Sequence, residues 1–155
     1  MALDQGYYLI VAATFYREIA DEMIKGATQA LEEAGASYDI VEVPGAFEVP
    51  GAIRFAVKSL EVIGGRRRYD GYVALGCVIR GETSHYDYVC GESARGLMDL
   101  TLNYSLALGY GILTCENSDQ AWARARLSEG NKGRAAAEAA VAMVAAKRQL
   151  GFHPR

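Results

Sequence analysis

From Ile79 to Val89 the chain reads IRGETSHYDYV, and six of its residues, Arg80, Glu82, Thr83, Ser84, His85 and Asp87, carry groups that move protons or hold anions. Ser84 followed by Asp87 has the spacing of a capping box, which predicts a helix starting there. Gly81 lies in the loop between a strand end and that helix start. Such a loop presents free backbone N–H groups and the positive end of a helix dipole, a combination suited to an anion and to phosphate in particular. His85 falls in the first helical turn, where the dipole favours the neutral imidazole, the form that can accept a proton. The alternative reading of His85 is a solvated residue on a helix end.

The elements that must position these groups follow from the hydrophobic pattern. Tyr72 to Ile79 is apolar on both faces, as expected of a strand covered on both sides in a parallel sheet. Tyr7 to Ala13 reads as an earlier buried strand and Tyr38 to Val43 as a second. Between them, Ile19, Met23, Ile24, Ala27, Ala30, Leu31 and Ala34 recur at helical spacing, with Gly35 where a C-terminal cap belongs. Pro44 to Gly51 reads as a stiff loop leading into a helix from about Pro50 to Ile63, with proline tolerated in the first turn. The helix after His85 is expected to run to about Leu108, where Gly109 ends it, followed by a short strand from Tyr110 to Thr114. Asn117 or Ser118 caps a helix to about Arg126, Gly130-Asn131-Lys132-Gly133 interrupts it, and an alanine-rich helix runs from about Arg134 to Leu150. The tail to Arg155 is expected to fray.

Strand and helix alternate four times, which predicts an α/β fold: a four-stranded parallel sheet with helices on both faces, joined by right-handed crossovers. In such sheets ligands bind beyond the carboxyl ends of the strands. Three loops gather there: Thr14-Phe15-Tyr16, Val43 to Glu48, and Arg80 to His85. They offer an aromatic plate, a carboxylate, an anion nest and a histidine, an inventory matched by a ligand with a flat polar ring and a phosphate. Tyr110, at the start of its predicted strand, is expected at the opposite end of the sheet, so any chemistry it does belongs to a neighbouring subunit's site.

Composition narrows the function. The 155 residues suit a single domain over 1–155; 51% are hydrophobic and 23% charged, an ordinary globular balance. A net charge of −3 gives no reason to expect nucleic acid. The one dense basic run, Arg66-Arg67-Arg68, reads as a solvated turn before a strand. No stretch is long and apolar enough to cross a bilayer, and no signal-peptide pattern opens the chain. Cys77, Cys90 and Cys115 are widely spaced and odd in number, which fits free thiols in a reducing cytoplasm. With two histidines and no clustered cysteine, no dedicated metal site is expected.

The longest motifs also carry a family likeness. Val43-Pro44-Gly45-Ala46-Phe47-Glu48-Val49-Pro50, then Ala74 to Val89 (ALGCVIRGETSHYDYV), Gly111-Ile112-Leu113-Thr114 with Glu116-Asn117 and Gln120-Ala121, and finally Arg124-Ala125 and Asn131-Lys132-Gly133 resemble lumazine synthase, in order and over almost the whole chain. The resemblance implies a flavodoxin-like αβα sandwich assembled into pentamers, which in many members build a hollow icosahedral shell. It implies condensation of 5-amino-6-(D-ribitylamino)uracil with 3,4-dihydroxy-2-butanone 4-phosphate to 6,7-dimethyl-8-ribityllumazine, phosphate and water, in riboflavin biosynthesis, with no metal or organic cofactor.

Carried over residue by residue, the resemblance makes Phe15 the ring-stacking aromatic and Ala46, Phe47 and Glu48 the loop that holds the ribityl chain. Cys77, Val78 and Ile79 become the strand end whose backbone meets the pyrimidinedione edge. Glu82 and Thr83 become the loop that receives the phosphate-bearing substrate. Arg124, with Lys132 nearby, becomes the phosphate grip supplied by the adjacent subunit, Tyr110 an aromatic contributed across the interface, and His85 the acid–base. Each has a plainer alternative. Phe15 can seal the sheet top, Phe47 can be packing, Glu48 can cap the next helix and Cys77 can be core. Arg124 and Lys132 can be solvated charges, with Arg126 as a rival phosphate ligand. Trp122 is an interface or core aromatic, and Glu138 has no derived role.

The chain departs from the family pattern in three places. Tyr16 stands where Asn is common, Leu106-Ala107-Leu108-Gly109 replaces a stretch that usually carries Pro-Val, and Tyr110 is commonly Phe. Two further classes of function are consistent with the residues: a lumazine- or flavin-binding relative without turnover, and a flavin-phosphate electron carrier.

Overall fold

A computed structural model describes residues 6–63 and 69–152. Arg66-Arg67-Arg68 and the tail beyond Phe152 lie outside the described residues. The elements are β1 (Tyr7–Ala13), α1 (Arg17–Glu33), β2 (Ser37–Val43), a 3-10 turn (Ala46–Glu48), α2 (Val49–Ile63), β3 (Gly71–Ile79), α3 (His85–Tyr104), β4 (Ala107–Cys115), α4 (Ser118–Ala125) and α5 (Lys132–Gln149). The strands form one parallel sheet in the order β2-β1-β3-β4. The α/β alternation and the parallel sheet are as the sequence implied, and the arrangement is consistent with a flavodoxin-like fold.

Alternation along β1 divides the core. Tyr8, Ile10 and Ala12 face the layer made by α1, α4 and α5, where they meet Met23, Leu31, Ala137 and Ala140. Leu9, Val11 and Ala13 face the layer of α2 and α3, where they meet Val49, Ile53, Leu97 and Leu100. Both faces of the strand are thereby removed from water, which is why its pattern is a continuous apolar run. Gly35 ends α1 as expected: at φ 75° it donates to Glu32 O (3.0 Å), while Ala36 N–H reaches back to Leu31 O (2.9 Å).

The structure corrects several boundaries. Helix α3 stops at Tyr104, not near Leu108; Ser105 adopts the left-handed conformation (φ 55°) and closes the helix on Thr101 O. The following Leu106-Ala107-Leu108 then turns into β4, which pairs with β3 from Gly71↔Ala107 onward. Tyr110 therefore lies inside β4, opposite Ala74, and not at a strand start. Gly109 is no helix stop either. A Cβ there would come within 1.8 Å of the Ala136 carbonyl oxygen, so this glycine, with Gly111, lets α5 lie directly on β4. The last helix begins at Lys132 rather than Arg134, because Gly133 already belongs to its first turn, close against the Met23 backbone of α1.

At the other helix starts the sequence was part right. Asn117 caps α4, its Oδ1 accepting from Gln120 N–H at 2.9 Å. The capping box at Ser84 is absent: Ser84 has helical dihedrals (φ −72°, ψ −1°) in place of the extended ones usual at an N-cap, and its side chain makes no cap bond.

Candidate active site

The chain leaves β1 toward β2 on one side and enters β3 on the other, so the loops that follow β1 and β3 diverge. That is a topological switch point, and the crevice it opens is where ligands of such sheets bind. Here it holds a cavity of about 650 Å³.

Its walls come from the three loops named from the sequence. Phe15 and Tyr16 follow β1. Their rings meet edge-on, with centroids 5.0 Å apart, and Phe15 is 75% exposed. Pro44 to Glu48 follow β2; within the 3-10 turn Ala46 is buried and Phe47 exposed. Cys77, Val78 and Ile79 end β3, and beyond them Gly81, Thr83 and His85 complete the rim. Large aromatics left open to solvent beside a cavity suit stacking on a flat ring better than sealing a core.

His85 is the first residue of α3. Its backbone N–H is held by the Thr83 hydroxyl at 3.3 Å, which orients the turn in which the imidazole stands. The Cys77 thiol is a different case. Burial, with Cys115 alongside, pushes it up to about 12, so the sulfur stays protonated and serves as a wall rather than a nucleophile. Burial also pushes the Tyr16 hydroxyl up, keeping it a neutral donor.

Of the sequence candidates, Phe15, Ala46, Phe47, Glu48, Cys77, Val78, Ile79, Thr83 and His85 line this one cavity. Glu82 does not line it; its exposed position in the loop turns it to solvent. Tyr110, Arg124 and Lys132 also stand elsewhere. They line a second cleft of about 320 Å³, running along β4, the outer strand of the sheet, between it and the start of α5. Arg124 reaches it from α4, with Nη1 donating to Gln120 O at 3.0 Å. Its rival Arg126 does not line that cleft; it pairs with Glu129 at 3.1 Å and lies over the Trp122 ring at 5.2 Å. Glu138 pairs with Arg134 at 2.6 Å on α5.

The sequence reading missed Tyr86 and Val89 in the cavity wall. The signal for Val89 was present, since it lies one helical turn after His85 and shares its face.

One cleft thus offers aromatic plates, a carboxylate, backbone groups at strand ends and a histidine. The other offers two cations and a phenol, a setting for an anion. The chain matches the family model described as 6,7-dimethyl-8-ribityllumazine synthase over residues 7–148. It is 58% identical over 145 residues to 6,7-dimethyl-8-ribityllumazine synthase 1 of Rhizobium meliloti, covering 94% of each chain. It is 57% identical over 145 residues to the 6,7-dimethyl-8-ribityllumazine synthase of Bartonella bacilliformis, covering 94% of this chain and 92% of the other. With the protein of that name from Agrobacterium fabrum it shares 52% over 149 residues, covering 96% and 99%.

Proposed function

The chain belongs to the 6,7-dimethyl-8-ribityllumazine synthase family, transferases of riboflavin biosynthesis, and on that premise we propose that it joins 5-amino-6-(D-ribitylamino)uracil to 3,4-dihydroxy-2-butanone 4-phosphate, releasing 6,7-dimethyl-8-ribityllumazine, phosphate and water. The observation that carries this reading is the convergence of nine sequence-selected residues, from the loops after β1, β2 and β3, the end of β3 and the start of α3, on one cavity at the sheet's switch point.

In this reading the pyrimidine stacks on Phe15, its ribityl chain runs along Ala46, Phe47 and Glu48, and its polar edge meets the backbone of Cys77 to Ile79. The phosphate-bearing substrate enters past Gly81 and Thr83. His85 accepts and returns protons as the amine adds to the ketone, as phosphate leaves and as the ring closes. Holding two reactants in register supplies much of the acceleration. Arg124 and Lys132 steady the phosphate, the guanidinium as a planar fork.

Because those two cations occupy a separate cleft of the same chain, the complete site is assembled between neighbours. His85 comes from one chain of a pentamer and Arg124 from the next. Each chain acts as one domain over residues 1–155, in the cytoplasm, where its free thiols Cys77, Cys90 and Cys115 persist. Mixing the two substrates with the protein and following lumazine fluorescence tests the reaction. Product that binds but never forms would favour the non-catalytic alternative.

A further inference from the structure

We propose that Arg80 is a positioning residue for His85, its guanidinium tying the first turn of α3 to the end of β4. The proposal rests on His85 being the acid–base group of the reaction above.

The helix start that carries His85 is held largely by residues outside its own turn; besides Arg80, the Tyr86 side chain hydrogen-bonds Thr114 on β4 and Cys90 one turn on. Ser84 supplies no side-chain cap. Gly81 stands in open space, where even an added Cβ would meet nothing within 4 Å. Within the turn, Asp87 N–H donates to Ser84 O at 3.0 Å and His85 N–H makes a long 3.3 Å bond to Thr83 Oγ1.

Arg80 spans this turn from its base. Its backbone N–H is fixed to Cys115 O at 2.9 Å, at the end of β4. Its Nε donates to Glu116 Oε2 at 2.8 Å, and its Nη1 reaches Asp87 Oδ1 at 3.4 Å. The guanidinium carbon lies 4.3 Å from the centre of the Tyr86 ring. Tyr86 and Asp87 are the two residues that follow His85, so the guanidinium grips the turn beside the imidazole. Glu116 is itself held, its N–H donating to Gln120 Oε1 at 2.8 Å.

Arg80 does not line the cavity, whereas His85 and Tyr86 do, so it acts through its neighbours. Its ion pairs are solvent-exposed and contribute little to global stability. A catalytic group displaced by a fraction of an ångström loses rate, so an anchor of this kind shows in turnover rather than in folding. A lysine offers one point charge and cannot bond Glu116, reach Asp87 and stack on Tyr86 together.

The test is a double-mutant cycle on the assembled enzyme. Arg80→Ala is expected to lower kcat about 10-fold. KM for the ribitylaminouracil and the number of product-binding sites should each stay within about twofold, and Arg80→Lys should recover only part of the rate. In a His85→Ala background, assayed at stoichiometric enzyme so that slow turnover is visible, Arg80→Ala should change the rate by less than about twofold. The same loss in both backgrounds, no loss in Arg80→Ala, or a loss of binding sites in step with kcat would overturn the positioning role. A His85→Ala enzyme as fast as its parent would overturn the acid–base assignment first, and the positioning role with it.

Discussion

His85 and Arg124 open into different clefts of one chain, His85 into the crevice beyond β3 and Arg124 into the cleft along β4. In the proposed reaction the two groups therefore come from two molecules. His85→Ala and Arg124→Ala chains, each impaired alone, are therefore expected to regain activity when unfolded together and reassembled. Random mixing in equal parts gives both native groups to about a quarter of the sites. A mixture no faster than the average of its parents would show that the two clefts do not cooperate.

His85→Ala on its own should reduce turnover about 10²-fold, the scale of one general acid–base group. Measurable activity should remain, because alignment of the two substrates is untouched. Steady-state rates followed by lumazine fluorescence decide this, and either complete loss or no loss contradicts the division of labour.

Gly109→Ala is expected to destabilise the fold. The added methyl would sit within 1.8 Å of the Ala136 carbonyl oxygen, backbone that can yield only if α5 lifts from β4. Overpacking of this kind costs about 1–3 kcal/mol. Denaturant unfolding of the variant should show a lower midpoint at similar slope, whereas Gly51→Ala, in the first turn of α2 where a Cβ meets nothing within 4 Å, should leave it unchanged or raise it, by up to about 1 kcal/mol.

Stability should fall at alkaline pH. Burial holds the Cys77 thiol protonated up to about 12 in the native chain, while the unfolded chain releases that proton near 9. The Tyr8 hydroxyl is likewise pushed up to about 12 by burial, from 10.0. Between those limits the unfolded state binds fewer protons than the native state, so rising pH favours unfolding. Unfolding midpoints measured from pH 8 upward should decline, and Cys77→Ala should flatten the decline. Equal slopes with and without the thiol would remove this cause.

Much of the fold was legible because local pattern and tertiary burial agree. β1 and β3 are apolar on both faces in the sequence and buried on both faces in the structure. Gly35 marked a helix end because its left-handed dihedral is the one glycine adopts without strain. The end of α3 was hidden for the opposite reason. Ser105 takes a left-handed conformation that its residue type does not announce, and Leu106-Ala107-Leu108 suits a helix as well as a strand. Only pairing with β3 decides between them, and that partner lies more than thirty residues upstream.

The site was legible to the same degree. Motif order placed Phe15, Phe47 and His85 at strand ends, and the parallel sheet brings those ends together. The separate cleft of Tyr110, Arg124 and Lys132 follows from β4 being the outer strand, which no local pattern states. The role of Arg80 as a tie depends on Glu116, a contact made thirty-six residues away.

Trp122 is the one tryptophan of the chain, and it stands on α4 beneath Arg126, two residues before Arg124. Ultraviolet emission excited at the red edge of indole absorption thus originates from a single spot per molecule. The protein carries its own optical gauge for the packing of α4 against the core, readable without any attached dye.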